Sequence, residues 1–372
     1  MWSGINSERG RAGAREQAAE QPGVFAVFSR AININERAGV LRKQMLLVFF
    51  VFLAAWVSVA TSLEDTWAVL VCSSRYWFNY RHLTNTLSVY QTIRQLGVSD
   101  DHIIFMNALD STCNSRNAYP GMQFGSDAHD ASLSLFNGDV EVDYQGEDAR
   151  AETFLGVLTG RHPAGTPQSK RLQSGANSSV LIFLSGHGGD GFFKFHDTEE
   201  LLSTDLAFAL REMELKQRYK QVLLLLDTCQ ASTMAELVVS PRVTAISSSA
   251  RGENSYAYQS SADLGVPLID RFTHATVRFL QNNLREGGAS VQHYLASLDP
   301  RFLHSTAIAA QSRDSTPLEK QDLRAFFAPS SDQSQSFGIT QPGKSADEED
   351  EEEDDVHVES FDAFLMRRES KQ

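Results

Sequence analysis

Residues Gln221–Ala231 read Gln-Val-Leu-Leu-Leu-Leu-Asp-Thr-Cys-Gln-Ala. Val222 to Leu226 run without a polar break, which suits a strand buried on both faces of a parallel sheet. The run stops at Asp227-Thr228-Cys229. Open α/β sheets place their chemistry at the carboxyl ends of strands, where a thiol is held still and can still meet substrate. A second stretch has the same form: Val180–Leu184, Val-Leu-Ile-Phe-Leu, followed by Ser185-Gly186-His187-Gly188-Gly189-Asp190-Gly191. If the two strands are neighbours, Cys229 and His187 emerge at one edge as a nucleophile and its base.

Each residue alone says little. A single Cys is more often a small buried hydrophobe, and a single His is more often structural or exposed. The joint pattern favours catalysis, because both follow apolar runs and the His sits among glycines. Those glycines let the backbone turn sharply and approach a ligand, and an exposed N–H beside His187 can stabilise an oxyanion. A free thiol, with a pKa of ~8.5, is mostly protonated at neutral pH, and a neighbouring imidazolium would lower that value.

The chain has 372 residues, 42% of them hydrophobic, enough for one large α/β domain or two small ones. Its formal net charge is −14, and Asp347 to Asp355 is an unbroken acidic run. No basic patch points to nucleic acid. Residues 46–60 form an uncharged apolar run after Arg42-Lys43, short for a membrane span and ending in small residues, as in a secretory signal. The expected organisation is a dispensable extension over 1–44, a signal peptide over 45–62, one α/β domain over 63–328 and an acidic disordered tail over 329–372. An uncleaved anchor is the alternative for the apolar run.

Entry to the secretory pathway changes how Cys72, Cys113 and Cys229 read. An odd count in an oxidising compartment implies a free thiol or an intermolecular bridge. Cys72 ends an apolar strand, Trp67–Cys72. Cys113 lies in an exposed polar loop, where it either bridges to another subunit or stays an inert free thiol. Asn177-Ser178-Ser179 is a glycosylation sequon before the His strand.

The remaining chain reads as alternating elements. A helix over His82–Leu96, a strand over His102–Met106 and a helix over Ala151–Thr159 give the β–α–β order of a parallel sheet. A short hairpin near Asp139–Tyr144 would put Glu141 and Asp143 on one strand face. With Asp100 they either collect a hard cation such as calcium or remain solvated acids. Phe192–Asp197 reads as an edge hairpin, Ser203–Tyr219 as a helix with Ser203 as N-cap, and Val243–Ile246 as a strand. Asp270–Asn282 and Val291–Leu298 read as helices and Asp322–Phe327 as a last strand.

Trp77-Phe78-Asn79-Tyr80-Arg81-His82, Asn85–Tyr90, Asp139–Tyr144, Gly186–Phe192, Lys194-Phe195 and Asp227-Thr228-Cys229-Gln230 resemble segments of the legumain-type cysteine peptidases, and most closely their transamidase branch. The resemblance runs from about Thr66 to Phe327. It implies a caspase-like three-layer α/β fold, with a mostly parallel central sheet flanked by helices. It implies Cys229 as nucleophile, His187 as base, Asn79 as the residue orienting His187, and the N–H groups of Gly188 and Cys229 as the oxyanion hole. Arg81, Asp227 and Ser248 fall where the family lines its primary specificity pocket, although the legumains carry Glu where Asp227 stands. Asp100, Ile103 through its carbonyl, Glu141 and Asp143 fall where a structural calcium would bind, and the chemistry itself requires no cofactor.

The implied reaction removes a C-terminal GPI signal from a proprotein through a thioester and passes the acyl group to the ethanolamine amine of a GPI lipid. The implied partners are the other subunits of a transamidase complex, one of them bridged through Cys113. The implied location is the lumenal side of the endoplasmic reticulum, with membrane attachment through partners. The alternative is a legumain-like endopeptidase of lysosomal or vacuolar compartments, which would need a helical prosegment that the acidic tail does not resemble. A catalytically dead scaffold would not need Asn79, His187 and Cys229 together.

Overall fold

The structure is a computed structural model that describes residues 65–127, 130–284, 288–312 and 314–327. The expected N-terminal extension, signal peptide and acidic tail lie outside the described residues. Among the described residues no helix is long and apolar enough to cross a membrane.

The chain opens with β1 (Asp65–Cys72), followed by α1 (Tyr80–Gln95), β2 (Ile103–Asn107) and the two-residue β3 (Tyr144–Gln145). Helix α2 (Ala151–Thr159) leads into the His strand, β4 (Ser178–Ser185). A small antiparallel sheet follows, built from β5 (Gly188–Gly189), β6 (Phe192–Phe195) and β7 (Glu199–Leu202). Then come α3 (Ser203–Leu215), the Cys strand β8 (Gln221–Asp227), α4 (Ser232–Ala235) and β9 (Val243–Ser247). The hairpin β10 (Ala257–Ser261) and β11 (Val266–Asp270) precedes α5 (Arg271–Asn283), α6 (Val291–Ser297), α7 (Pro300–Leu303), the edge strand β12 (Ile308–Gln311) and α8 (Arg324–Phe327).

Among the described residues the main sheet has seven strands in the order β12-β9-β8-β4-β1-β2-β3. All its pairings are parallel except β12 on β9. Alternate residues of each central strand supply two separate cores. Trp67, Val69, Val71, Leu224 and Leu226 pack with α2 and α3 on one face. Ala68, Leu70, Cys72, Leu223 and Leu225 pack with α1 and α5 on the other. This two-sided burial is why the strands read as unbroken apolar runs. Each buried Leu contributes about 1.5–3 kcal/mol relative to exposure.

The sheet order positions the site. From β1 the chain steps to β2 on one side and later to β4 on the other, so the order reverses between β1 and β4. The register aligns Cys72, Ser185 and Asp227 as the last residues of β1, β4 and β8. His187 and Cys229 therefore each lie two residues past the same level of two neighbouring strands.

Three expected elements differ. Asp139–Asp143 forms no hairpin; only Tyr144–Gln145 pairs, and it pairs in parallel with Met106–Asn107. Val140 and Val142 pack on the core instead of forming a strand face. Ser203 is the first residue of α3 rather than its cap, and the Asp205 carboxylate accepts the Leu202 N–H at 3.4 Å. Asp322–Phe327 holds the short helix α8, tied back by the Asp322 side chain accepting the Arg324 N–H.

Candidate active site

The loop after β1 supplies Asn79. It is the N-cap residue of α1, a position where Asn ordinarily caps through its side chain, yet it makes no capping hydrogen bond. Its amide is used elsewhere. Nδ2 donates to the Arg75 carbonyl at 2.6 Å, and Oδ1 faces His187 Nε2 at 2.8 Å. A carbonyl oxygen can only accept, so the Arg75 contact fixes the amide's orientation, and His187 carries its proton on Nε2. The lone pair of Nδ1 is thereby left for the thiol proton. Trp77, two residues earlier, donates its indole N–H to the Leu264 carbonyl at 3.2 Å and pins this loop to the β10–β11 hairpin.

The loop after β4 supplies His187 and Gly188. A Cβ on Gly188 would lie 2.5 Å from Thr228 Oγ1 and 2.9 Å from the Phe192 carbonyl, so only glycine fits against the turn that carries Cys229. The same loop is held from α4, where Thr233 Oγ1 accepts the Gly191 N–H at 2.8 Å. Ser248 and Ser249 are buried at the end of β9 and both donate to the Thr228 carbonyl, at 3.1 and 2.8 Å. Gln230, next to Cys229, takes a left-handed conformation at φ 51°. A non-glycine residue held there stores local strain, which is typical of a turn that aims a side chain.

Cys229 and His187 open onto one pocket, whose walls include Arg81, His82, Asp227, Ser255 and Asp270. Burial is the main influence on both reacting groups. It pushes the Cys229 thiol up, against the opposing effects of the Ser255 N–H and Arg81. It pulls His187 down to about 3, with Arg81 and Lys194 acting the same way. Both directions favour the neutral thiol and the neutral imidazole. A cation in this cleft would be desolvated beside Arg81, which disfavours the imidazolium expected to lower the thiol pKa. A neutral His187 is available to accept a proton through Nδ1. His82 packs edge-on against it, with ring centroids 4.9 Å apart, and is itself fixed by Ser74 Oγ at 2.7 Å from Nδ1.

The pocket floor is an acid pair. Asp227 accepts from Ser255 Oγ at 2.8 Å and Thr273 Oγ1 at 2.5 Å. Asp270 accepts from Arg81 Nε at 3.0 Å and Asn85 Nδ2 at 2.5 Å. Burial raises both carboxyls, and Asp270 further raises Asp227. Arg81 and Asp227 both lie in the pocket walls. Ser248 lies beneath the catalytic turn, outside the pocket walls. Asp270, His82 and Ser255 were not anticipated. The carboxyl-end rule could have found Asp270, since it ends β11, but the sequence reading placed it inside the following helix.

The expected cation ligands gather at the start of β2. Tyr90 donates its hydroxyl to Asp100 Oδ1 at 2.6 Å and accepts the Glu141 N–H at 3.4 Å. Asp143 is buried, and its Oδ2 takes the Phe105 N–H at 2.9 Å. Burial, together with Glu141 and Asp100, lifts Asp143 to about 7 against the pull of the Phe105 N–H and Lys170. Ile103 begins the strand beside them. Among the described residues no three His, Cys, Asp or Glu side chains stand in a metal-holding arrangement. Cys113 is exposed and unpaired with any cysteine of the described chain, and Asn177 is exposed in the turn before β4.

The pattern of the Peptidase C13 family matches residues 66–294, the segment that contains Asn79, His187 and Cys229. A Caenorhabditis elegans protein provisionally named as a GPI-anchor transamidase is 43% identical over 306 residues, covering 77% of this chain and 94% of its own. The GPI-anchor transamidase of Saccharomyces cerevisiae is 41% identical over 294 residues, covering 76% of this chain and 71% of its own. The Homo sapiens GPI-anchor transamidase is 47% identical over 217 residues, and this chain spans about half of that relative's length (54%). With its three-layer sheet and its Asn–His–Cys geometry, the chain belongs to the Peptidase C13 family of cysteine peptidases.

Proposed function

We infer that this chain is the catalytic polypeptide of a GPI-anchor transamidase. The observation that carries the chemistry is the alignment of Cys229 and His187 on adjacent strand ends, with His187 Nε2 held by Asn79 Oδ1 at 2.8 Å. The Cys229 sulfur bonds to the carbonyl carbon at the attachment site as His187 Nδ1 takes the thiol proton. The N–H groups of Gly188 and Cys229 receive the developing oxyanion. Collapse breaks the C–N bond, and the departing amine of the C-terminal segment takes the proton from His187. The amine of the GPI ethanolamine then attacks the thioester, its proton passes to His187, and Cys229 leaves. Amine must outcompete water in this second step, and the desolvated cleft favours that outcome.

The substrates are therefore a proprotein with a C-terminal GPI signal and a GPI lipid, and the compartment is the endoplasmic reticulum. The finer reading is a lumenal enzyme that acts within a multisubunit complex, reaches the membrane through its partners, is bridged to one of them by Cys113, and is glycosylated at Asn177. A structural calcium held by Asp100, the Ile103 carbonyl, Glu141 and Asp143 belongs to the same reading. Arg81 and Asp227, with Asp270, receive the side chain of the attachment residue.

The test is nucleophile competition in microsomes that contain the complex. A proprotein with a GPI signal plus hydrazine should yield the hydrazide at the attachment site, and Cys229→Ala should abolish it. Cleavage to the free acid alone, insensitive to the amine, would favour a legumain-like endopeptidase.

A further inference from the structure

The loop that follows Ser249 crosses directly over the nucleophile, and one carboxylate folds it. Glu253 Oε2 accepts the Ala250 N–H at 2.9 Å and the Thr306 N–H at 2.7 Å. Its Oε1 accepts from Thr306 Oγ1 at 3.0 Å. The loop is thus closed on itself and tied to the segment before β12. That segment is fixed in turn, because Ser305 Oγ donates to the Ser248 carbonyl at 2.7 Å.

The backbone of this loop then meets the turn that carries Cys229 at two points. The Glu253 carbonyl accepts the Gln230 N–H at 2.8 Å. The Gly252 N–H donates to Gln230 Oε1 at 3.0 Å. Ser255, at the end of the loop, lines the pocket with Cys229, and its Oγ donates to Asp227 at 2.8 Å. The two contacts to Gln230, the neighbour of Cys229, hold it in its left-handed conformation. Neither of them uses the Glu253 side chain directly, yet both depend on the loop shape that this side chain sets.

We propose that Glu253 is a positioning residue for the nucleophile: its carboxylate folds the 250–255 loop so that the Glu253 carbonyl and the Gly252 N–H hold Gln230, and with it Cys229, in the attacking orientation. The proposal rests on Cys229 being the nucleophile. Ser255, carried by the same loop, pulls the Cys229 thiol down against burial, so loss of the loop's shape should disfavour the thiolate. Glu253 itself does not line the pocket, so its loss should reduce turnover and leave substrate binding nearly intact.

The experiment compares Glu253→Ala, Glu253→Gln and Thr306→Val in the intact complex. The rate of Cys229 alkylation by iodoacetamide is read by mass spectrometry across pH, alongside kcat and KM for hydrazide formation. Glu253→Ala should move the alkylation midpoint to higher pH and lower kcat about tenfold or more, with KM within about twofold. Glu253→Gln keeps an oxygen for both N–H donors and an amide that can donate to Thr306 Oγ1, so it should behave as wild type. Thr306→Val removes only the contact to Oε1 and should shift the midpoint less, in the same direction. An unchanged midpoint and kcat in folded Glu253→Ala overturns the proposal; should that variant fail to accumulate, an unchanged Thr306→Val does so. A lower Tm with an unchanged midpoint means that Glu253 only stabilises the fold, which also overturns it. Hydrazide formation persisting in Cys229→Ala would sink the nucleophile assignment instead, a separate failure.

Discussion

Replacing Asn79 tests the geometry of the base most directly. In Asn79→Ala two groups lose their partner at once: the His187 Nε2–H, now bonded at 2.8 Å, and the Arg75 carbonyl, now bonded at 2.6 Å. A buried donor left unpaired costs about 1–3 kcal/mol. If the imidazole recovers that energy by rotating toward another acceptor or changing tautomer, the same amount must be spent to restore Nδ1 to the thiol. A barrier higher by 1–3 kcal/mol corresponds to a roughly 5- to 150-fold lower kcat. KM should stay near wild type, since Asn79 does not line the pocket. Asn79→Asp separates orientation from charge. The carboxylate still accepts the Nε2–H but sets a negative charge beside the ring, raising His187 from about 3 and favouring the imidazolium–thiolate pair. Single-turnover thioester formation, with alkylation of Cys229 followed across pH, distinguishes the cases. The reasoning fails if folded Asn79→Ala keeps kcat within about twofold of wild type, or if Asn79→Asp leaves the alkylation profile where it was.

Gly188→Ala should fold and lose activity by about tenfold or more, because its Cβ would press on Thr228 Oγ1 and the Phe192 carbonyl, next to the N–H groups proposed to receive the oxyanion; steady-state kinetics with a thermal melt check this. His187 is depressed in the folded state, so the unfolded chain binds the extra proton, and its contribution to stability falls as pH drops from 6.5 toward about 3. His187→Ala should therefore be inactive and less sensitive to acid across that window in thermal melts. Asp143, raised from 3.8 to about 7, costs up to about 4 kcal/mol when ionised. Its penalty grows as pH rises through that range. Calcium should then raise Tm at pH 7.5 more than at pH 5, and an unchanged Tm on chelation would leave the acids merely crowded. Non-reducing electrophoresis of the native complex should show a Cys113-dependent adduct, and its absence would make Cys113 a plain surface thiol.

The parts of this fold that could be read from the sequence were those with two-sided burial. β1, β4 and β8 carry continuous apolar runs because both faces of each strand are covered, and helix α2 matched its apolar spacing. Cys229 and His187 were legible because each interrupts such a run at the same depth. Asn79 was not, from pattern alone. It sits at a helix start where Asn is ordinary, and only its failure to cap reveals another task. Asp270 and Ser255 arrive from a hairpin and a loop remote in sequence from Asp227, so local spacing cannot join them. The expected hairpin at Asp139–Tyr144 failed because alternation predicts a strand only where a neighbour offers free pairing groups. There Asp143 instead spends its N–H and its carboxylate on the backbone of Phe105. β12, short and only half-buried, lacks the apolar run that marks the central strands.

Strand β4 carries His187 past its carboxyl end, and Asn177 precedes its first residue. At about 3.3 Å per residue, its eight residues separate those two points by roughly 25 Å. A sugar attached to Asn177 would therefore project from the rim opposite the catalytic cleft, leaving access to the thioester unobstructed.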